Sequence, residues 1–151
     1  MPVHYFAYGS NMDELHLREH CPSALCLGAA RLDAHRLAFL RRSVRTGTGV
    51  ADVVADQGAV VWGAAFEIDE GDLGALDLKE GEGLAYARRG TVVTLRSQDA
   101  ELLAQFYSVI SKTDHEVTPS REYLTRMITA AETHDLPPGY VAALRSRTCE
   151  D

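Results

Sequence analysis

The sequence predicts an α+β fold built on a curved, mostly antiparallel sheet, and three observations lead there. Segments with strand character outnumber those with helical periodicity, yet the two kinds are interleaved along the chain. The strand segments follow one another too closely for repeated parallel crossovers, which need about a dozen residues or more each. Finally, 151 residues with 46% hydrophobic and 25% charged side chains suit one domain, 1–151, that buries its own core.

The elements follow in order. Val3 to Tyr8 is aromatic and nearly all apolar, as in a strand buried on both faces, and it stops at Gly9. Asn11 followed by Glu14 has the spacing of an N-cap and its reciprocal partner, so a short helix is expected from Met12 to about His20. Leu37 to Leu40 and Val50 to Val54 read as short strands, with the loop Ser43 to Gly49 between them; Ala59 to Ile68 is the strongest strand. Asp69 can cap a helix through Lys79, in which Leu73, Leu76 and Glu80 share one face.

Thr91 to Leu95, a turn at Ser97 to Ala100, and Glu101 to Val109 suggest a hairpin, although the last piece also has helix propensity. Thr118 with Pro119 looks like a cap with proline at the first helical position, and Tyr123, Met127 and Ala131 recur every fourth residue. That helix should end before Pro137, and a final helix should run from Gly139 to about Arg145.

Charge and composition exclude several functions. A net charge of −7 argues against binding a phosphate backbone, so no nucleic-acid partner is expected. No window has the roughly 18 uninterrupted apolar residues of a membrane helix, and the start lacks a basic segment followed by an apolar one. The expectation is a cytoplasmic protein with no membrane partner. Cys21, Cys26 and Cys149 are odd in number and fit no C-x-x-C pattern, which suits reduced thiols.

Four groups of residues could carry chemistry. Tyr8-Gly9-Ser10-Asn11 joins a buried strand to a helix start, where free backbone N–H groups and the helix dipole could bind an anion; a plain turn and cap is the alternative. Ser10 lacks the G-x-S-x-G setting of a nucleophile. Glu80 shares its helix face with Leu73 and Leu76, and apolar surroundings would make a carboxylate a better proton acceptor. It could equally sit in solvent at a helix end, and Glu82 is a rival.

The third group, His16-Leu17-Arg18-Glu19-His20, spells the H-x-x-E-H of inverted zinc peptidases. The short helix, the missing third ligand and the following Cys21-Pro22 favour a solvated helix face, and no metal site is expected. Last, Tyr86, Tyr107 and Tyr123 could orient a polar substrate or simply pack in the core.

Taken together, these residues resemble the γ-glutamylcyclotransferase family, which includes the AIG2-like proteins. The similarity runs through Tyr5-Phe6-Ala7-Tyr8-Gly9-Ser10-Asn11, Pro22-Ser23-Ala24, Ala30-Arg31-Leu32 and Val61-Trp62-Gly63. It continues in Leu76-Asp77 with Glu80-Gly81, Pro119-Ser120 with Tyr123, and Leu136-Pro137 with Tyr140 and Leu144. The resemblance implies a small mixed, mostly antiparallel β-barrel flanked by helices. It also implies a cofactor-free cyclisation of a small-molecule γ-glutamyl amide to 5-oxoproline, and it allows a homodimer.

By that resemblance Glu80 is the catalytic acid and base. Tyr8, Gly9, Ser10 and Asn11 bind the glutamyl group, and Tyr86, Tyr107 and Tyr123 match pocket tyrosines. One departure stands out: Glu80 to Tyr86 is a residue shorter than the family spacing. A non-catalytic module that binds γ-glutamyl metabolites is the competing expectation.

Overall fold

A computed structural model describes residues 2–151 of the chain. The elements are β1 (Pro2–Ala7), α1 (Glu14–Arg18), β2 (Leu25–Arg42), β3 (Gly49–Asp69), α2 (Glu70–Glu80), β4 (Tyr86–Leu95), β5 (Ala100–Val109), α3 (Arg121–Thr133) and α4 (Pro138–Arg145). The strands close a barrel in the order β1-β3-β2-β4-β5. Every neighbouring pair is antiparallel except β1 with β5, which closes the ring in parallel. The expected α+β barrel flanked by helices is therefore the observed one. No helix among the described residues is long and apolar enough to cross a membrane.

Two strands expected to be short turn out to be long. Leu37 to Leu40 lies within the 18 residues of β2, and Val50 to Val54 and Ala59 to Ile68 both lie within the 21 residues of β3. The β2–β3 register slips between Cys26 and Gly28, between Asp33 and His35, and between Ala38 and Arg41. Each bulge breaks the two-residue alternation that a sequence reading relies on, and each bends the ribbon so that it can wrap into a barrel.

Local hydrogen bonds move the helix starts. Asn11 does not cap a helix: a 3-10 turn covers Ser10–Met12, and the Asp13 carboxylate accepts from the His16 N–H to start α1. The predicted helix to His20 shrinks to Glu14–Arg18. Thr118 and Pro119 likewise precede the cap of α3, which is Ser120, accepting from the Tyr123 N–H at 3.1 Å. In contrast, α2 begins after Asp69 as expected, although the Asp69 side chain makes no capping bond, and it runs to Glu80 with Gly81 as its C-cap. The hairpin of β4 and β5 settles Glu101 to Val109 as strand.

The core gathers Phe6, Phe39, Phe66, Val61, Ile68 and Val93, all essentially buried. Helix α3 buries Leu124, Met127, Ala130 and Ala131, and packs on the Ser10–Met12 turn and on α4. The β1–β3 seam has almost no spare space. A Cβ on Gly63 would stand 2.1 Å from the Ala7 carbonyl oxygen and 3.0 Å from the Phe6 ring. Gly63→Ala should therefore cost about 1–3 kcal/mol as strands are forced apart. Gly58→Ala, whose Cβ would meet nothing within 4 Å, should stay within about 0.5 kcal/mol of the parent. Urea unfolding midpoints of the two variants distinguish these outcomes.

Candidate active site

Strand β1 feeds directly into the site. The turn that follows it, Tyr8 to Asn11, walls a cavity of about 40 Å3 together with Tyr5, Ala51, Glu80, Tyr86, Tyr107 and Tyr123. Four strands and two helices thus contribute to one small space. Gly9 lacks a side chain where one would crowd it: a Cβ would lie 3.0 Å from the Tyr123 hydroxyl. The sharp return at Gly81, whose carbonyl accepts from the N–H groups of Leu84 and Ala85, brings Tyr86 back beside Glu80. The shortened interval between them still delivers Tyr86 to the cavity.

Asn11 organises the polar contacts. It is 5% exposed, and its Nδ2 donates to Glu80 Oε1 at 2.8 Å and to the Tyr5 hydroxyl at 3.0 Å. Its Oδ1 accepts from Lys79 Nζ at 2.5 Å. No hydrogen bond among the described residues engages Glu80 Oε2, so one carboxylate oxygen is anchored and the other is free to meet a ligand. The surroundings of Glu80 are accordingly more polar than its apolar helix face suggests. Leu73 and Leu76 point into the core, whereas Glu80 enters a space of phenols and an amide.

The tyrosines are held by separate bonds. Tyr8 donates to the Tyr107 carbonyl, Tyr107 donates to Asp77 Oδ1, and Arg88 Nε lies 3.0 Å from the same carboxylate oxygen. Tyr86 donates to the Ala51 carbonyl, and the Ala51 N–H donates to Tyr123. Burial is the main reason that all five cavity phenols hold their protons above the ordinary tyrosine range. The Glu80 charge adds to this for Tyr5, Tyr86, Tyr107 and Tyr123. They stay neutral at any working pH.

Next to the cavity stands a run of cations. Burial lowers the pKa of Lys79, with Glu80 at 3.8 Å opposing the shift. His16 sits between Lys79 Nζ, 3.4 Å from its Nε2, and Arg126 Nη1, 2.7 Å from its Nδ1. Burial first, then Lys79 and Arg126, depress its pKa below the usual histidine value. With both ring nitrogens turned to cationic side chains, His16 is not arranged as a metal ligand, and His20 lies beyond the end of α1.

Every residue singled out from sequence for the site, Tyr8, Gly9, Ser10, Asn11, Glu80, Tyr86, Tyr107 and Tyr123, lines this one cavity. The rival Glu82 is exposed. The helix dipole expected to act at this loop is nearly absent, because a three-residue turn and a five-residue helix carry little dipole. Sequence reasoning missed Tyr5, Ala51, Lys79 and Asp77. Tyr5 carried a signal, since it lies in the same aromatic run as Tyr8 and packs edge-on to Tyr107 with ring centres 5.9 Å apart.

A barrel whose mouth holds one anchored carboxylate among neutral phenols is equipped to bind a small polar ligand and move a proton. A family model for the AIG2-like family matches residues 60–144. The γ-glutamylcyclotransferase of Bos taurus is 32% identical over 151 residues, covering 94% of this chain and 77% of that protein. The Homo sapiens γ-glutamylcyclotransferase is 30% identical with the same coverage. A solved γ-glutamyl cyclotransferase superposes with a TM-score of 0.92 at 25% identity, over 100% of this chain and 90% of that one. An uncharacterized Homo sapiens protein superposes at 0.91 and 26% identity, over 99% and 90%. The chain belongs to the AIG2-like, γ-glutamylcyclotransferase family.

Two outcomes follow from the geometry. Asn11→Leu leaves Tyr5, Glu80 and Lys79 without their shared partner, and should cost about 1–3 kcal/mol in urea unfolding. For His16 the folded pKa lies below the unfolded one, so the unfolded chain binds more protons between the two values. The contribution of His16 is complete above about 6.5 and is lost as pH falls toward the lower, folded value. His16→Gln should flatten that part of the stability profile, measured as melting temperature against pH.

Proposed function

We propose that the protein cyclises γ-glutamyl amides to 5-oxoproline and frees the amine, with Glu80 carrying the proton. The observation that carries this reading is Glu80 at the cavity wall, anchored through Oε1 by Asn11 with Oε2 free. Membership in the γ-glutamylcyclotransferase family supports it.

The chemistry uses what the substrate brings. Its α-amine nitrogen attacks its own γ-carbonyl carbon, the new C–N bond closes a five-membered ring, and the original amide C–N bond breaks. Glu80 accepts a proton from the α-ammonium and passes it to the departing nitrogen; the second proton of the attacking nitrogen follows as the lactam forms, so the amine leaves as an ammonium and nothing is consumed. The nucleophile is internal, which leaves Ser10 a binding role. Holding the folded-back conformer supplies much of the rate, because an intramolecular attack has a high effective molarity. In this reading backbone N–H groups of the turn Tyr8 to Asn11 face the developing oxyanion. The neutral phenols of Tyr86, Tyr107 and Tyr123 border the glutamyl group.

The direct test is 5-oxoproline formation from γ-glutamyl-alanine. Glu80→Gln, which keeps the size and can still accept from Asn11, should fold normally and lose about 10²- to 10⁴-fold in kcat. A folded Glu80→Gln protein with full activity overturns the assignment of the base. Absence of product from the parent across γ-glutamyl substrates overturns the reaction.

A further inference from the structure

Among the described residues, Asp52 is the one charged side chain with no exposed surface, and the proposed chemistry does not use it. It follows Ala51, the β3 residue that lines the cavity. Its Oδ1 accepts from the Val109 N–H at 2.9 Å, and its Oδ2 accepts from Lys112 Nζ at 2.5 Å. Lys112 also donates to the Val109 carbonyl at 3.0 Å. The N–H and the carbonyl of Val109 are thus gripped by one carboxylate and the ammonium paired with it.

These bonds join two strands that the sheet leaves apart. In the barrel order β1-β3-β2-β4-β5, no backbone pairing links β3 to β5. β1 lies between them, and its pairing with β3 stops at Ala7 with Ala64. Asp52 belongs to the stretch of β3 that β1 does not cover, and it reaches the end of β5 through its side chain alone.

The two joined segments carry the cavity phenols. On the β3 side, the Ala51 carbonyl accepts from the Tyr86 hydroxyl and the Ala51 N–H donates to the Tyr123 hydroxyl, both at 3.1 Å. On the β5 side, Tyr107 stands two residues before Val109; its carbonyl accepts from Tyr8, and its hydroxyl donates to Asp77. Any change in the span from Asp52 to Val109 moves one pair of phenols against the other, in the cavity that Glu80 shares. The carboxylate charge is felt there too. Burial is the main cause that Tyr8 and Tyr86 hold their protons above the ordinary tyrosine range, and Asp52 adds to it.

Stability does not call for such a pair. Apolar side chains of similar volume often hold a fold as well as a buried ion pair or better, since no charge is taken out of water. What a charge-assisted hydrogen bond supplies, and an apolar contact does not, is a fixed distance and direction. Placement of that kind matters for rate: a shift of about 1 Å can cost about 10²-fold even when its cause lies away from the chemistry.

We infer that Asp52 is a positioning residue: its bond to Val109 sets the spacing of β3 and β5 at the cavity, and with it the placement of Tyr8, Tyr86, Tyr107 and Tyr123 around the substrate. Lys112 compensates the buried charge. The inference rests on the proposed reaction and adds to it a residue that touches no substrate.

The experiment separates placement from stability by removing both charges together. Asp52→Leu/Lys112→Met leaves no unpaired charge behind, so its melting temperature should stay within about 4 °C of the parent. Its kcat for γ-glutamyl-alanine should nonetheless fall about tenfold or more. KM should change by less than about threefold, because alignment of the bound substrate is what is lost. Asp52→Asn/Lys112→Met keeps an acceptor for the Val109 N–H and should recover kcat to within about threefold of the parent. If the leucine variant does not fold, Asp52→Ala/Lys112→Met takes its place in the same comparison.

A folded leucine or alanine variant with the parent's kcat overturns the inference. So does a loss that the asparagine variant shares in full, or one carried by KM alone. If the parent forms no 5-oxoproline from any γ-glutamyl substrate, the reaction itself is at fault, and crystal structures of the parent and the folded apolar variant judge the strut. Movement of Ala51 relative to Tyr107 by about 0.5 Å or more supports it, and superposable cavity walls overturn it.

Discussion

The side-chain amide of Asn11 is a rigid plane with donors on one end and an acceptor on the other, and groups from two other elements occupy them. Tyr5 comes from β1, while Lys79 and Glu80 come from the end of α2. Because Glu80 and Lys79 converge on opposite ends of one amide, the carboxylate cannot rotate freely without losing a bond to a residue that is almost fully buried. A flexible glutamate at a helix end would sample many positions. This one is held by one oxygen, with the other left without a bond among the described residues, which is the preorganisation the proposed proton transfer would need. The same three contacts tie the C-terminus of α2 to the mouth of the barrel.

Barrel closure brings the remaining pieces to that mouth. β1 lies between β3 and β5, so the turn after Ala7 emerges beside Ala51 on one flank and Tyr107 on the other. Its parallel pairing with β5 places the chain direction so that Tyr5 stands opposite Gln105. Tyr107 follows two residues further along the same face. A fully antiparallel ring would have sent the β1 turn to a different end of β5. Tyr8 and Tyr86 donate to backbone carbonyls and Tyr107 donates to Asp77, while Tyr5 accepts from Asn11 and Tyr123 from the Ala51 N–H, so each ring is fixed independently of the others.

What was legible in the sequence depends on whether a signal was local. Helix α2 could be read because Leu73, Leu76 and Glu80 share a face, and that register alone aims Glu80 correctly. The strand from Ala59 to Ile68 could be read because nothing interrupts it. Asn11 shows the opposite case: Asn-x-x-Glu is the spacing of a cap, but the side chain's partners lie 69 and 68 positions away, and only the fold reveals them. Tyr107 lay in a segment that reads as either strand or helix, and pairing with β4 decided it. Lys79 was invisible as a site residue because neighbours on a helix normally face different ways. It reaches Asn11 only because α2 ends there, where side chains fan outward.

The acidic character of the chain takes on a different meaning once charge is placed in space. A net charge of −7 disfavours an anionic ligand at long range. Screening in salt limits that penalty to about a Debye length, ~8–10 Å, whereas contacts inside a cavity are screened much less. Selection is therefore decided locally. The phenols around Glu80 are polar without adding negative charge, and beside them Arg41, Arg45 and Arg126 stand among the carboxylates of Glu19 and Glu122. Burial of Lys79 and His16 weakens their hold on protons, so they add less positive charge to the wall than their number suggests. The guanidinium groups, which stay charged at any working pH, supply most of the positive field at the entrance, where they face the carboxylates of Glu19 and Glu122.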